Sequence, residues 1–214
     1  MGVSMPQQQT GLHDRILDTA LEQAEASSWE RLQLHTVSTA LHITLDDIRQ
    51  HFLQKDDLVE AWFDRADRMM LGADRGAGFP DRPLHERLHQ VISRWLDALS
   101  SHRRLTREML AYKLEPGHVH LQARGIMRIS RTVQWFREAA CQDSTGMRRI
   151  FDESVLTSIY LATFARWLFD DSENGRRSKA FLDRALRRWL GSNSSSDRHS
   201  CEAKVLAEEQ QPGH

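Results

Sequence analysis

Apolar residues recur every three or four positions along most of the chain, the spacing that brings side chains to one face of an α-helix. This spacing predicts a first helix near Leu12–Ala26 and a fourth near Asp56–Leu71, the latter with Leu58, Trp62, Ala66 and Met69 as its apolar stripe. Between them, the apolar positions of His35–Leu58 are spaced for two short helices that share one buried seam. No stretch shows sustained strand alternation, so the pattern predicts an all-α fold.

A break in this pattern divides the chain. Residues 72–83 contain three Gly and two Pro, which cannot continue a helix. Five more helices are predicted beyond this linker, near Leu84–Ser100, His102–Leu114, His118–Cys141, Met147–Asp170 and Arg177–Leu190. We therefore predict one domain at 11–71 and a second at 84–191. The polar ends, residues 1–10 and 192–214, are expected to be disordered.

The two short helices predict a helix-turn-helix. Thr44 stands where the second short helix must begin, and Asp47 follows three residues later. In this capping-box pattern each side chain satisfies the other residue's backbone N–H. A helix-turn-helix places its second helix in the major groove of DNA.

Three further elements accompany the two short helices: the first helix, the lead-in Trp29-Glu30-Arg31-Leu32-Gln33-Leu34, and the run His51-Phe52-Leu53-Gln54-Lys55-Asp56-Asp57-Leu58. With these elements, the segment Asp14–Leu71 resembles the DNA-binding domain of the TetR family of transcriptional regulators. The resemblance implies a C-terminal helical domain that binds a ligand, and a homodimer joined through the last two helices. The family usually has Gly where His42 stands, and a positive φ there would cost a His about 1 kcal/mol.

The resemblance also implies DNA contacts by six side chains: Thr36, Thr44, Leu45, Arg49, His51 and Lys55. Thr44 and Leu45 would face base edges, whereas the others would contact phosphates, which position a domain without specifying sequence. Arg49 stands where the family usually has Tyr, and its guanidinium could hold a phosphate through a charge-assisted bond. The implied partner is double-stranded operator DNA.

Charge argues against this interpretation. Between Gly11 and Glu60 the chain has four cationic and ten anionic side chains, a net charge of −6, whereas the whole chain carries −1. That sign is wrong for a surface that meets phosphates. The alternative is a protein of the same architecture that has lost DNA binding. Some proteins of ubiquinone biosynthesis are similar in architecture but bind lipid and a partner enzyme, and Leu168–Asp183 resembles their C-terminal part.

Six residues of the C-terminal helices are candidates for the lining of an effector pocket between helices: Trp95, Met109, Met127, Trp135, Tyr160 and Phe164. The effector would be a small molecule or a lipid. On another face of the helix near 118–141, Arg124, Arg128 and Arg131 form a stripe. We expect this stripe to be a solvated helix face, although it could also steer an anionic ligand.

His85-Glu86-Arg87-Leu88-His89 matches the zinc-protease pattern, in which two histidines bind zinc and the glutamate acts as a general base. A third ligand is required, and His118 or His120 could supply it. The segment also fits the polar face of an amphipathic helix, which is the interpretation we favour. We expect neither an enzyme nor a bound cofactor.

Composition is that of an ordinary globular protein. The chain has 214 residues, of which 40% are hydrophobic and 28% charged. No apolar run approaches the roughly 18 residues of a membrane span. The two cysteines, Cys141 and Cys201, lie far apart in the sequence. We therefore expect a cytoplasmic protein without disulfides.

Overall fold

The computed structural model describes residues 5–74, 76, 78–113, 119–142 and 146–191, and the regular elements in these ranges are all helical. The α-helices are α1 Met5–Ala26, α2 Leu34–Leu41, α3 Leu45–His51, α4 Lys55–Gly72, α5 Leu84–Ala98, α6 Arg103–Lys113, α7 Val119–Ala139, α8 Gly146–Leu168 and α9, residues 176–191. The predicted all-α fold is confirmed. None of the described helices is both long and apolar enough to cross a bilayer.

The start of α1 corrects one expectation. The helix begins at Met5 rather than near Leu12, so residues 5–10 are helical and the prediction of a disordered tail over 1–10 is wrong for them. Their composition explains this result, because Met and Gln are good helix formers. Pro6 lies in the first turn, where its missing N–H has no intrahelical partner to lose.

The described residues fall into two compact units. The first comprises residues up to Ala73 together with Arg94–Trp135, and the second comprises Asp74–Ser93 together with residues from Phe136 onward. α5 and α7 therefore each contribute residues to both units. The division at residues 72–83 drawn from the sequence stays a prediction.

In the first unit, α1 and α4 supply much of the core. α1 buries Ile16, Leu17, Ala20, Leu21 and Ala24. α4 buries Leu58, Trp62 and Ala66 as predicted, but it buries Met70 in place of Met69. The reason is that Val59 and Phe63 are buried as well, which moves the core-facing side of the helix about one residue further along.

In the second unit, aromatic rings link α7 to α8. The ring of Phe136 meets that of Tyr160 edge to face at 5.2 Å, and Phe164 stacks on Tyr160 and on Trp167 at 5.9 Å in each case. Such ring pairs add about 0.5–1.5 kcal/mol each beyond the burial of their area.

The turn between α8 and α9 is built on the buried carboxylate of Asp170. This side chain accepts hydrogen bonds from the backbone N–H and hydroxyl of Ser172, at 3.0 and 2.6 Å, and from those of Ser178, at 2.8 and 2.6 Å. Burial alone would raise the pKa of Asp170, but these bonds from Ser172 and Ser178 hold it well below its ordinary value. The ionised carboxylate therefore fixes the start of α9.

Candidate nucleic-acid interface

The turn between α2 and α3 passes through a left-handed residue. His42 has φ 55° and ψ 42°, and its backbone N–H bonds to the carbonyl oxygens of Ser38 and Thr39. The Ile43 N–H bonds to Ser38 O at 3.0 Å, which closes the end of α2. The φ of His42 is thus positive, which is the condition under which a His at this position costs about 1 kcal/mol.

The predicted capping box opens α3. The hydroxyl of Thr44 accepts from the Asp47 N–H at 3.1 Å, and Asp47 Oδ2 accepts from the Thr44 N–H at 2.8 Å and from its hydroxyl at 2.7 Å. The Thr44 hydrogen bonds, helped by nearby His51, lower the pKa of Asp47. Asp47 is therefore directed at the N-terminus of its own helix. Asp46 is exposed and accepts from Gln50 Nε2 at 3.3 Å.

One face of α3 packs into the first unit and the other is exposed. Ile48 and Phe52 are buried, whereas Leu45 is 54% exposed and Arg49, four residues later, is exposed on the same side. Among the described residues, Arg49 has no ion pair within 4.0 Å and no hydrogen bond. An exposed apolar side chain at the start of α3 and an unpaired guanidinium in its last turn thus lie on one side of this helix.

Two further residues that were predicted to contact DNA, Thr36 and His51, have neighbours on α1. The exposed Thr36 hydroxyl is 2.7 Å from both Gln23 Oε1 and Gln33 O, and Gln23 Nε2 bonds to Thr36 O at 3.2 Å. These bonds tie the start of α2 to α1. His51 is half-buried, and its ring lies 6.2 Å from that of His13, which stacks on Phe52 at 4.6 Å.

Lys55 has partners within the chain. Its ammonium group bonds to the carbonyl oxygens of Trp29 and Glu30, and it lies 5.1 Å from the centroid of the Trp29 ring and 5.8 Å from that of Tyr112. Burial lowers the pKa of Lys55, although the nearby carboxylates of Asp56 and Glu30 raise it. These contacts fasten the start of α4 to the segment between α1 and α2. The phosphate contact of Lys55 stays a prediction.

The acidic surplus of residues 11–60 is partly neutralised by arginines outside that range. Arg65 of α4 pairs with Asp14 and Asp18, Arg104 of α6 pairs with Glu25 at 2.9 Å, and both Arg128 and Arg131 of α7 approach Glu60. A charge count over a sequence window misses these partners because the folded chain brings them from other helices. The net charge of the window therefore overstates the repulsion that DNA would meet.

The arginine stripe of α7 is not a solvated face at Arg128. This side chain is buried; it donates to Asp64 and, at 2.8 Å, to Asp67 of α4. Asp67 is also buried, and it accepts from Trp95 Nε1 of α5 at 2.7 Å. Burial raises the pKa of Asp67 although Arg128 and Trp95 oppose that effect. The expectation of solvation is therefore wrong for Arg128, and α4 is anchored to α5 and α7. The side chain of Arg124 lies outside the described residues.

The six predicted effector-pocket residues lie in different environments. Trp95 and Met109 are buried in the first unit, and Tyr160 and Phe164 are buried in the second. Met127 is 73% exposed and Trp135 is 42% exposed. The effector pocket that these residues would line stays a prediction.

The zinc-protease pattern lies on α5. His89 Nε2 is 3.2 Å from Lys179 O, and His85 Nε2 is 3.9 Å from Glu86 Oε1. Within the ranges that the structure describes, no three His, Cys, Asp or Glu side chains form a group able to hold a metal ion. The proposed third ligands, His118 and the side chain of His120, lie outside the described residues.

Together, these elements define an all-α protein whose N-terminal part contains a capped helix-turn-helix, followed by further helices. The chain is similar to the crystal structure of the TetR transcriptional regulator from Nitrosomonas europaea ATCC 19718, with 47% identity, a TM-score of 0.73, and coverage of 83% of this chain and 97% of that one. The chain therefore belongs to the TetR family of transcriptional regulators.

A second solved structure supports the fold alone. A TetR transcriptional regulator from Rhodococcus sp. RHA1 is 20% identical, with a TM-score of 0.64 and coverage of 86% of this chain and 97% of that chain. No protein-family model matches the chain, and no curated protein matches it.

Proposed function

We propose that this chain is a one-component transcriptional regulator that binds operator DNA as a homodimer and is modulated by a small ligand held by its C-terminal helices. The observation that carries the proposal is the exposed face of α3, where Leu45 and Arg49 project from a helix whose start is fixed by its capping box. Leu45 suits apolar contact with a thymine methyl group, and Arg49 suits a phosphate. In a homodimer, two such helices would read half-sites about 34 Å apart.

The exposed face of α8 supports the homodimer. Phe151, Ser154, Ser158, Leu161 and Ala165 are all exposed, and their spacing of three and four residues places them on one stripe. Apolar and small residues in such a stripe allow two helices to approach closely and bury area. The stripe suits a symmetric contact with a second copy.

The charge of α9 argues against this helix as the main dimer contact. Its exposed residues include Arg176, Arg177, Arg184, Arg187 and Arg188, which cover roughly a third of the circumference of the helix. A symmetric contact between two copies of this face would set like charges opposite each other, which is unfavourable. We therefore assign the main contact of the last two helices to α8.

The dimer is tested by sedimentation equilibrium of the full chain. Leu161→Glu places a carboxylate in the α8 stripe and should shift the protein toward the monomer. Met69→Glu, a change at an exposed apolar residue of α4, is the matched control and should leave the association unchanged. A wild-type chain that is monomeric at all concentrations would contradict the proposed assembly.

We expect a bound ligand to act on the helix-turn-helix through α4. A ligand acts only through its different affinity for two states of the protein. The bonds of Asp67 to Arg128 and Trp95 join α4 to α5 and α7, so a ligand that moves α5 or α7 also acts on α4. Because α4 follows α3 directly, a change in α4 would alter the spacing of the two recognition helices.

DNA binding is tested by a salt titration with the DNA upstream of the protein's own gene, next to a scrambled duplex of equal length. The logarithm of the affinity should fall steeply with the logarithm of the salt concentration, by about 0.9 for each phosphate contact. Arg49→Gln removes one contact in each protomer and should reduce that slope by about two units per dimer. The matched control is Arg184→Gln on α9, which should leave the slope unchanged.

Equal affinity for both duplexes, or no binding at low salt, would refute operator binding. In the second case, an apolar ligand that co-purifies with the protein would favour the lipid-binding alternative of the ubiquinone-biosynthesis type.

A further inference from the structure

A cavity of about 260 Å³ lies in the first unit, where the segment between α1 and α2 meets the C-terminal half of α6. Its lining consists of Ser28, Trp29, Glu30, Glu108, Ala111 and Tyr112. The cavity is slightly smaller than the usual site of a drug-sized ligand, so it suits a compact molecule. None of the six candidate effector-pocket residues lines it.

Hydrogen bonds hold the two walls of this cavity together. Glu108 of α6 accepts from the backbone N–H of Trp29 at 2.8 Å through one carboxylate oxygen, and from Arg104 at 2.7 Å through the other. Arg104 also bonds to Glu25 at 2.9 Å, near the end of α1. The cavity is therefore part of the folded unit rather than a gap between loose segments.

The chemistry of the lining favours a cation. Among the described lining residues, two carry carboxylates, two carry large aromatic rings and none is cationic. The rings already attract a positive charge, because the Lys55 ammonium lies 5.1 Å from the centroid of the Trp29 ring and 5.8 Å from that of Tyr112. Both distances are within the range of cation–π attraction.

We propose that this cavity is a binding site for a small organic cation such as a primary ammonium ion, which shares the Trp29 and Tyr112 rings with the ammonium group of Lys55. Two like charges near the same pair of rings repel each other. The bound cation and the inward position of Lys55 therefore oppose each other. The site requires no DNA. A failure of operator binding would therefore not contradict it, and a failure of cation binding would not contradict operator binding.

The test uses benzylammonium as the probe and benzyl alcohol as its neutral analogue, with the full-length protein. Binding is followed by the NMR signals of the tryptophan indole N–H groups, with Trp29 assigned through Trp29→Phe. The exposed Trp135 serves as an internal control. We expect a saturable shift of the Trp29 signal with benzylammonium, no comparable shift of Trp135, and at least tenfold weaker binding of benzyl alcohol.

Variants test the shared rings. Lys55→Gln removes the competing charge and should tighten benzylammonium binding at least about fivefold, whereas Lys179→Gln, a lysine of the second unit, should not change it. Tyr112→Leu should weaken binding about tenfold while leaving the far-ultraviolet circular dichroism unchanged.

Three results would overturn the proposal. These are equal binding of benzyl alcohol and benzylammonium by the wild type, no saturable shift at Trp29, and affinity for benzylammonium that Lys55→Gln leaves unchanged or reduces. The first two use the wild-type protein, so they decide the matter even if Lys55→Gln does not fold.

Discussion

Substitution of His42 tests the geometry of the helix-turn-helix. Its backbone is left-handed, with φ 55° and ψ 42°, and its imidazole is exposed, so a substitution acts mainly through the backbone. This conformation costs an L-residue about 1–2 kcal/mol, and His tolerates it better than most residues. His42→Gly removes the cost but loses about 0.5–1 kcal/mol through the greater freedom of the unfolded chain, so we expect a net gain of up to about 1 kcal/mol.

A β-branched residue at the same position should have the opposite effect. His42→Val places a branched side chain in a conformation that such residues rarely adopt, and we expect a loss of about 1–2 kcal/mol. The Gly and Val variants should therefore differ by roughly 2 kcal/mol, which corresponds to about 4–8 °C in Tm for a chain of this size.

Thermal and urea unfolding of the wild type and the two variants measure this difference. His42→Asn is the matched control, because Asn also tolerates the left-handed region, and it should stay within about 0.5 kcal/mol of the wild type. If His42→Val proves as stable as His42→Gly, then the turn does not hold residue 42 in a left-handed conformation, and the angle between α2 and α3 has another origin.

Three other substitutions test contacts that fix the helices. Thr44→Ala removes the cap of α3 and should lower the free energy of unfolding by about 1 kcal/mol in urea, whereas Thr44→Ser should retain it. Arg128→Met leaves Asp67 buried without its cation and should lower the free energy of unfolding by about 3–5 kcal/mol. The double variant Arg128→Met with Asp67→Asn should recover much of that loss. Strictly additive effects of the two substitutions would contradict the network. Because the pKa of Asp170 is lowered in the folded state, its ionised form contributes stability above its ordinary pKa of 3.8, which is lost as the pH falls through the folded-state value. Asp170→Asn should therefore be less stable than the wild type by about 2 kcal/mol at pH 7, with a difference that shrinks below pH 3.8; a constant difference across pH would show that the carboxylate charge plays no part.

Local sequence patterns were sufficient to predict the helix-turn-helix. The helical spacing located α2 and α3, and the pair Thr44 and Asp47 marked the start of α3. Each of these features depends on residues within four positions of one another. The interactions that produce these features therefore lie within a short segment of the chain.

The sequence by itself determined that the chain is helical, where α3 begins, and which side of α3 is apolar, because these properties follow from hydrophobic period and capping. Only the tertiary structure decided the partners of the charged groups. Arg128 is buried rather than solvated, and Lys55 binds carbonyl oxygens between α1 and α2. Each of these partners lies 25 or more positions away in the sequence. Charged residues do not recur in the sequence with a period that would identify their partners. Whether a charged side chain is buried depends on which helices pack around it in the fold.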